Sequence, residues 1–266
     1  MLVEHSGLPR REAEYLLLAL IDRDRAWYFA HADEPVSESD EVRFRAWVED
    51  HKQGTPIAYL LGRREFWSLD LRVSPAVLIP RPDTELLVDW ALTLANEHHC
   101  RSVLDLGTGS GAIALALATE LPECDITAVD SSARALDVAR SNGKRLGLGN
   151  VSFHDSDWFS ALGESQWPLI VSNPPYIRAD DPHLRRGDLP AEPVSALVGG
   201  ADGLECVRAI ITGAPAHLMS GGWLLLEHGW DQGEEVRNLL DEAGFNGTVS
   251  RRDLAGHERV TGGQLP

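Results

Sequence analysis

Apolar residues recur at helical spacing through the first sixty positions. Ala13, Leu16, Leu17 and Leu20 share one face of a helix over Arg10–Ile21. Val42, Phe44, Trp47 and Val48 predict a second helix over residues 40–52, with Ser37 or Ser39 as its cap. Gly54-Thr55-Pro56 breaks this segment, and a short helix follows over residues 56–61. Residues 1–62 read as a small helical domain. The pattern then turns to β over residues 65–78, where Phe66, Trp67, Leu69, Leu71 and Val73 predict a strand pair or an extended linker. Asp83 or Thr84 can cap a helix running to about Ala95.

Beyond that helix, strand and helix patterns alternate, which predicts a parallel sheet covered on both faces. Strands are expected over residues 102–106, 125–130, 151–154, 169–172 and 222–227, and helices over 112–120, 132–146, 203–219 and 232–243. The tail from Thr248 is expected to add an antiparallel hairpin.

Composition narrows the class. At 266 residues the chain can hold one large domain plus a small one, and 43% hydrophobic with 24% charged content is ordinary for a globular protein. No apolar run approaches the ~20 residues of a membrane span. Glu4, His5 and Pro9 interrupt the place of a signal peptide, so the cytoplasm is expected, with no membrane partner. A net charge of −17 argues against general nucleic-acid binding. Arg63-Arg64 and Arg185-Arg186 are the best candidates for a local basic patch, and each reads as a solvated turn. Cys100, Cys124 and Cys206 stand apart and read as reduced thiols. His98-His99 reads as solvated, and no metal site is expected.

Two segments carry candidate chemistry. The first is Asp105-Leu106-Gly107-Thr108-Gly109-Ser110-Gly111, a strand end, a glycine turn and a helix start. Glycines let a ligand approach the backbone, and the helical N–H groups point into the crevice at the strand ends. Asp130 ends the next strand, where it can accept both hydroxyls of a ribose. The glycines alone fit NAD as well as S-adenosylmethionine. Asp105 separates them, because an acid there repels a pyrophosphate and suits the cationic amino-acid end of S-adenosylmethionine. After the third strand, Asp157 and Trp158 can flank an adenine; Asp155 is the alternative acid, and core packing the alternative role of Trp158.

The second segment is Asn173-Pro174-Pro175-Tyr176, which follows the apolar run Pro168-Leu169-Ile170-Val171. Paired prolines end the strand and stiffen the loop. The Asn173 side-chain oxygen and the Pro174 carbonyl can each accept one N–H of a flat amino group. Those bonds aim the nitrogen lone pair at a methyl donor, and Tyr176 packs on the planar acceptor. Catalysis then rests on positioning and water exclusion.

These segments together resemble the protein-(glutamine-N5) methyltransferases of the PrmC/HemK family. The resemblance spans nearly the whole chain. It includes Gly54 to Leu60, Glu65-Phe66-Trp67, the Ile-Pro-Arg-Pro-Asp-Thr-Glu run from Ile79 to Glu85, Glu192-Pro193 and Leu226-Glu227-His228-Gly229. It implies an α/β fold: a seven-stranded Rossmann-like class I methyltransferase sheet (residues 81–266), a helical N-terminal domain for substrate recognition (1–62) and a β-hairpin linker (63–80). It implies S-adenosyl-L-methionine as donor, with S-adenosyl-L-homocysteine as product. The implied acceptor is the glutamine of the Gly-Gly-Gln motif in class I peptide chain release factors. Carried over, Gly107 to Gly111, Asp130 and Trp158 contact the donor, and Asn173 to Tyr176 hold the glutamine. Arg81 and Glu85 take only a structural or loop-ordering role. The alternatives are glutamine methylation of a ribosomal protein, amino-methylation of a nucleic-acid base, an NAD-dependent oxidoreductase, and an inactive binding module. The chain also carries its own Gly262-Gly263-Gln264, read as coincidence, with self-modification or self-inhibition as the other reading.

Overall fold

Among the described residues the start of the chain forms five helices: α1 (Leu2–His5), α2 (Arg10–Ile21), α3 (Arg25–Ala30), α4 (Glu38–Lys52) and α5 (Ile57–Leu61). The computed structural model describes residues 2–31 and 34–266. Of the two candidate serines, Ser37 caps α4, its Oγ accepting from the Asp40 N–H at 3.1 Å. Helix α3 is too short to show a period; it is fixed by Asp24, whose side chain accepts from the Trp27 N–H at 2.7 Å. Ala13, Leu16, Leu17, Phe44 and Val48 close a small core between α2 and α4.

Strands β1 (Arg63–Phe66) and β2 (Leu69–Arg72) form an antiparallel hairpin. Its two-residue turn, Trp67-Ser68, has positive φ at both positions, which suits the twist of paired strands. Arg63-Arg64 therefore lies in β1 and not in a turn. A 3-10 turn over Pro82–Thr84 leads into α6 (Glu85–Glu97), and no side chain caps that helix. The expected caps are engaged elsewhere: Asp83 pairs with Arg259 at 3.3 Å, and Thr84 turns to the sheet rim.

The sheet strands are β3 (Ser102–Leu106), β4 (Asp125–Asp130), β5 (Val151–Asp155), β6 (Trp167–Ser172), β7 (Leu218–Glu227), β8 (Asn246–Arg252) and β9 (Glu258–Gln264). They interleave with α7 (Ala112–Glu120), α8 (Ala133–Leu146), α9 (Glu205–His217) and α10 (Gly233–Glu242). The order is β5-β4-β3-β6-β7-β9-β8, with β9 antiparallel to both neighbours. Side chains alternate across the sheet. Val103, Val171 and Leu225 enter one core with α6 and α7, while Leu104, Ile170, Leu224 and Leu226 enter the other with α9 and α10. Pro168 sits inside β6, tolerated because the register shifts between Trp167 and Leu169.

Strand order reverses between β3 and β6, so the crevice at their C-terminal ends is where this architecture takes ligands. Asn142 on α8 ties the linker to that crevice. It accepts from the Arg72 N–H at 2.7 Å and donates to the Ser110 carbonyl at 2.9 Å. Among the described residues no helix is long and apolar enough to cross a membrane.

The Gly-Gly-Gln of the tail is part of β9. A Cβ on Gly262 would lie 2.4 Å from a Leu225 methyl, so packing accounts for that glycine. Gln264 pairs with Trp223, and its Nε2 donates to the Gly221 carbonyl at 2.9 Å. It stands four residues back along β7 from Glu227, roughly 13 Å from the crevice end of that strand. One N–H of its side-chain amide is thus used within the strand pair.

Candidate active site

The loop after β3 is shaped by backbone geometry. Gly107, Gly109 and Gly111 all have positive φ. The N–H groups of Gly107 and Thr108 both donate to the Val129 carbonyl at 2.9 Å, which presses the loop onto the end of β4. Asp130, ending β4, accepts from the Gly109 N–H at 2.8 Å and from the Ser132 N–H at 2.9 Å. Each oxygen keeps lone-pair capacity for a ligand hydroxyl. Burial pushes the Asp130 carboxyl up; the Ser132 and Gly109 bonds pull the other way.

Asp105 lies under this loop, fully buried. Its Oδ2 accepts from the Thr108 hydroxyl at 2.7 Å, and its Oδ1 has no partner among the described residues. Burial pushes this carboxyl up to about 7, against the Thr108 bond. A buried carboxylate oxygen without a donor suits a nearby cation.

A cavity of about 500 Å³ opens above the loop. Gly107, Thr108, Gly109, Ser110, Asp130, Asp157, Trp158, Asn173 and Pro175 line it. Asp105 lies beneath, Gly111 caps α7, and Pro174 and Tyr176 stand outside the lining. Asp157, not Asp155, faces the space. Trp158 has φ +48 and lies over Gly107, where a Cβ would come 3.5 Å from the indole. It also packs on the second core, so one ring faces both the cavity and that core. Such a residue in the left-handed region is held there by its surroundings. The glycine cradle, the acid at the end of β4, the indole and the orphaned Asp105 oxygen fit a nucleoside with a cationic tail.

Across the crevice, β6 delivers Asn173. The Ser172 hydroxyl donates to the Leu106 carbonyl at 2.7 Å, locking the ends of β3 and β6 together. Asn173 Nδ2 donates to the Thr84 hydroxyl oxygen at 3.1 Å. Its Oδ1 and the Pro174 carbonyl meet no donor among the described residues. The next two carbonyls are constrained, one by a hydrogen bond and the other by packing. The Tyr176 carbonyl accepts from Gln232 Nε2 at 3.1 Å. The Pro175 carbonyl is crowded by Gly199, where a Cβ would stand 2.3 Å away, so glycine is required there. The Tyr176 phenol donates to Glu227 Oε1 at 3.3 Å. Burial, then the Glu227 charge, holds its pKa well above that of an ordinary phenol.

Several cavity residues carry no advance signal in local sequence: Pro75, Val77, Ser195 and Cys206. They come from the linker and from the segment after the proline corner. Arg81 joins those two walls, its Nη2 donating to the buried Glu192 Oε1 at 2.6 Å. Glu85 holds the hairpin, accepting from the Trp67 N–H at 3.0 Å. The Ile79 to Glu85 run and Glu192-Pro193 are the signals that point to this wall.

Known proteins resemble this chain over nearly its whole length. Residues 1–62 match the family profile described as the PrmC N-terminal domain, and residues 82–185 match the methyltransferase small domain. A release factor glutamine methyltransferase from Xylella fastidiosa is 52% identical over 97% of this chain and 94% of its own. That of Pseudomonas aeruginosa is 51% identical (99% and 97%), and that of Escherichia coli 48% (98% and 94%). Among solved structures, the hMettl16 catalytic domain bound to an RNA hairpin superposes with a TM-score of 0.61 at 15% identity, covering 86% of this chain and 83% of that one. A T. thermophilus 16S rRNA methyltransferase with AdoMet and guanosine gives 0.58 at 20% identity, over 77% and 50%. At such identities these two establish the fold alone, a class I methyltransferase sheet. The relatives, similar at about half of all positions from end to end, establish more: the chain belongs to the release factor glutamine methyltransferases.

Proposed function

We propose that this chain transfers a methyl group from S-adenosyl-L-methionine to the side-chain amide nitrogen (N5) of the glutamine in the Gly-Gly-Gln motif of class I peptide chain release factors. One observation carries the reading. The Asn173 carboxamide has its nitrogen tied to Thr84 and its oxygen unclaimed, on the same cavity as the glycine loop and Asp130.

Bound S-adenosyl-L-methionine supplies an electrophilic methyl group on a cationic sulfur. Asp130 accepts hydroxyls of the ribose, Asp157 and Trp158 flank the adenine, and the loop from Gly107 to Gly111 admits the chain close to its backbone. Asp105 acts on the cationic tail through the field of its carboxylate from beneath the loop. On the acceptor side, Asn173 Oδ1 and the Pro174 carbonyl each take one N–H of the glutamine amide. An amide nitrogen is a weak nucleophile because its lone pair is delocalised. Two acceptors on its hydrogens favour a pyramidal nitrogen whose lone pair points into the cavity. Pro175 and the Tyr176 ring shape the space around the planar group. The nitrogen sheds its proton after transfer, so the site works by orientation and exclusion of water.

The net charge of −17 supports a protein acceptor over a nucleic acid. We assign partner recognition to the helical residues 1–62. They are held against the sheet domain by Ala58 and Tyr59, which pack on Val73, Val77, Ala135 and Val138. The test is to incubate the protein with labelled donor and, separately, a class I release factor, ribosomal proteins and DNA, then locate the added methyl by tandem mass spectrometry. Label on the Gly-Gly-Gln glutamine is expected. Label only on a ribosomal protein or on DNA would overturn the reading.

A further inference from the structure

S-adenosyl-L-methionine carries a sulfonium, an ammonium and a carboxylate. Asp105 answers the ammonium and the proline corner faces the methyl group, but the carboxylate still lacks a partner. Enclosing an ionised carboxylate without hydrogen bonds or a countercharge is costly. The glycine loop has little to offer it. The N–H groups of Gly107 and Thr108 both donate to the Val129 carbonyl, that of Gly109 to Asp130, and that of Gly111 to the Thr108 carbonyl at 2.8 Å. Asp130 and Asp157, the acids that line the cavity, repel a carboxylate.

Among the described residues two cationic side chains line the cavity, Arg81 and Arg134. They stand at different ends of it. Arg134 lies in the first turn of α8, just past Ser132, whose N–H donates to Asp130. It belongs with the ribose. The Arg81 carbonyl accepts from the Thr84 N–H at 3.2 Å, and the Thr84 hydroxyl oxygen accepts from Asn173 Nδ2 at 3.1 Å. Arg81 therefore belongs with the corner, at the sulfur end of the donor, where the amino-acid tail departs.

Its guanidinium is already held in place. Nη2 donates to Glu192 Oε1 at 2.6 Å, and the Glu192 side chain is fully buried. The Arg81 side chain makes no other hydrogen bond among the described residues, so most of its N–H donors remain free, and 31% of it stays exposed. A planar fork fixed by one carboxylate has little freedom left to lose when it meets a second. We infer that Arg81 binds the α-carboxylate of S-adenosyl-L-methionine, with Glu192 as the positioning residue that holds the guanidinium at the cavity edge. The inference rests on the placement of the donor with its ribose at Asp130 and its methyl group at Asn173. The adenosine is then met by the loops after β3, β4 and β5, and the tail alone reaches across to the wall that Arg81 and Glu192 join.

Titration calorimetry with two ligands tests it: S-adenosylhomocysteine, and its decarboxylated analogue, which keeps the amine and lacks the carboxylate. The wild type should prefer S-adenosylhomocysteine by about ten-fold or more, the scale of a charge-assisted pair. Arg81→Ala should erase most of that preference by weakening S-adenosylhomocysteine alone, with the analogue within about two-fold of its wild-type affinity. Arg81→Gln, whose amide can still donate to Glu192, should do the same, which separates loss of the cation from loosening of the wall. Arg134→Ala should keep the preference. Equal wild-type affinity for the two ligands, retention of the preference in both Arg81 variants, or its loss in Arg134→Ala instead, would overturn the inference alone. A wild type that binds neither ligand would overturn the donor reading and this inference with it.

Discussion

The two halves of the crevice are held by contacts of different reach. On the β3–β4 side, the Gly109–Asp130 bond joins residues 21 apart in sequence, and positive-φ glycines set the loop themselves. On the β6–β7 side, Asn173 is oriented by Thr84 from 89 residues away and Tyr176 meets Glu227 across 51. The wall over the cavity is closed by Arg81 and Glu192, 111 residues apart. The donor half is thus a local device, built by three successive strands, β3 to β5, and the loops that follow them. The acceptor half exists only once the linker, the proline corner and the end of β7 have docked. Donor binding should therefore survive damage that abolishes transfer, while the converse damage weakens both.

The sharpest way to break this contrast is Asn173→Ala. Turnover should fall at least about 100-fold, the scale of losing a positioned hydrogen-bonding group in a transition state, while donor affinity stays within a few-fold. Single-turnover kinetics and calorimetry on one preparation read both quantities. Normal turnover would remove the positioning role.

Asp130→Ala addresses the other half. It deletes charge-assisted bonds worth roughly 1.5–3 kcal/mol, so S-adenosylhomocysteine should bind about 10- to 150-fold more weakly by titration calorimetry. At saturating donor, kcat should change far less. Unchanged affinity would count against the ribose assignment.

The smallest effect concerns stability. Asp105 has a folded-state pKa raised to about 7, against an unfolded value near 4. Between those values the folded state holds more protons, so this group favours folding at low pH. Its contribution is lost as pH rises through the folded value. Asp105→Asn removes the penalty of an ionised buried carboxylate. Without ligand, the melting temperature of the variant relative to the parent should rise between pH 5 and pH 8, by about 5 °C. A difference independent of pH would show that the carboxyl does not titrate as described.

This division of reach also explains what was legible in the sequence. Strand–helix alternation and the run from Gly107 to Gly111 are local patterns, and the sheet follows from them with boundaries close to those expected. Asn173 and its prolines were visible for the same reason. Thr84 looked like a helix cap because local sequence says nothing of Asn173 on another strand. Glu227 looked like the end of a buried strand. Trp158 had two candidate roles because periodicity does not reveal that one ring can face both a core and a cavity. Helix α3 escaped because six residues are too few to show a period.

The central claim is that donor and acceptor meet at one rim, with the proline corner setting the angle. A crystal structure with S-adenosylhomocysteine and a Gly-Gly-Gln peptide tests it most directly. The account predicts the ribose on Asp130, the adenine beside Trp158, and the glutamine amide bonded to Asn173 Oδ1 and the Pro174 carbonyl with its nitrogen facing the sulfur. A peptide glutamine seated away from Asn173, or a sulfur turned away from that corner, would contradict it.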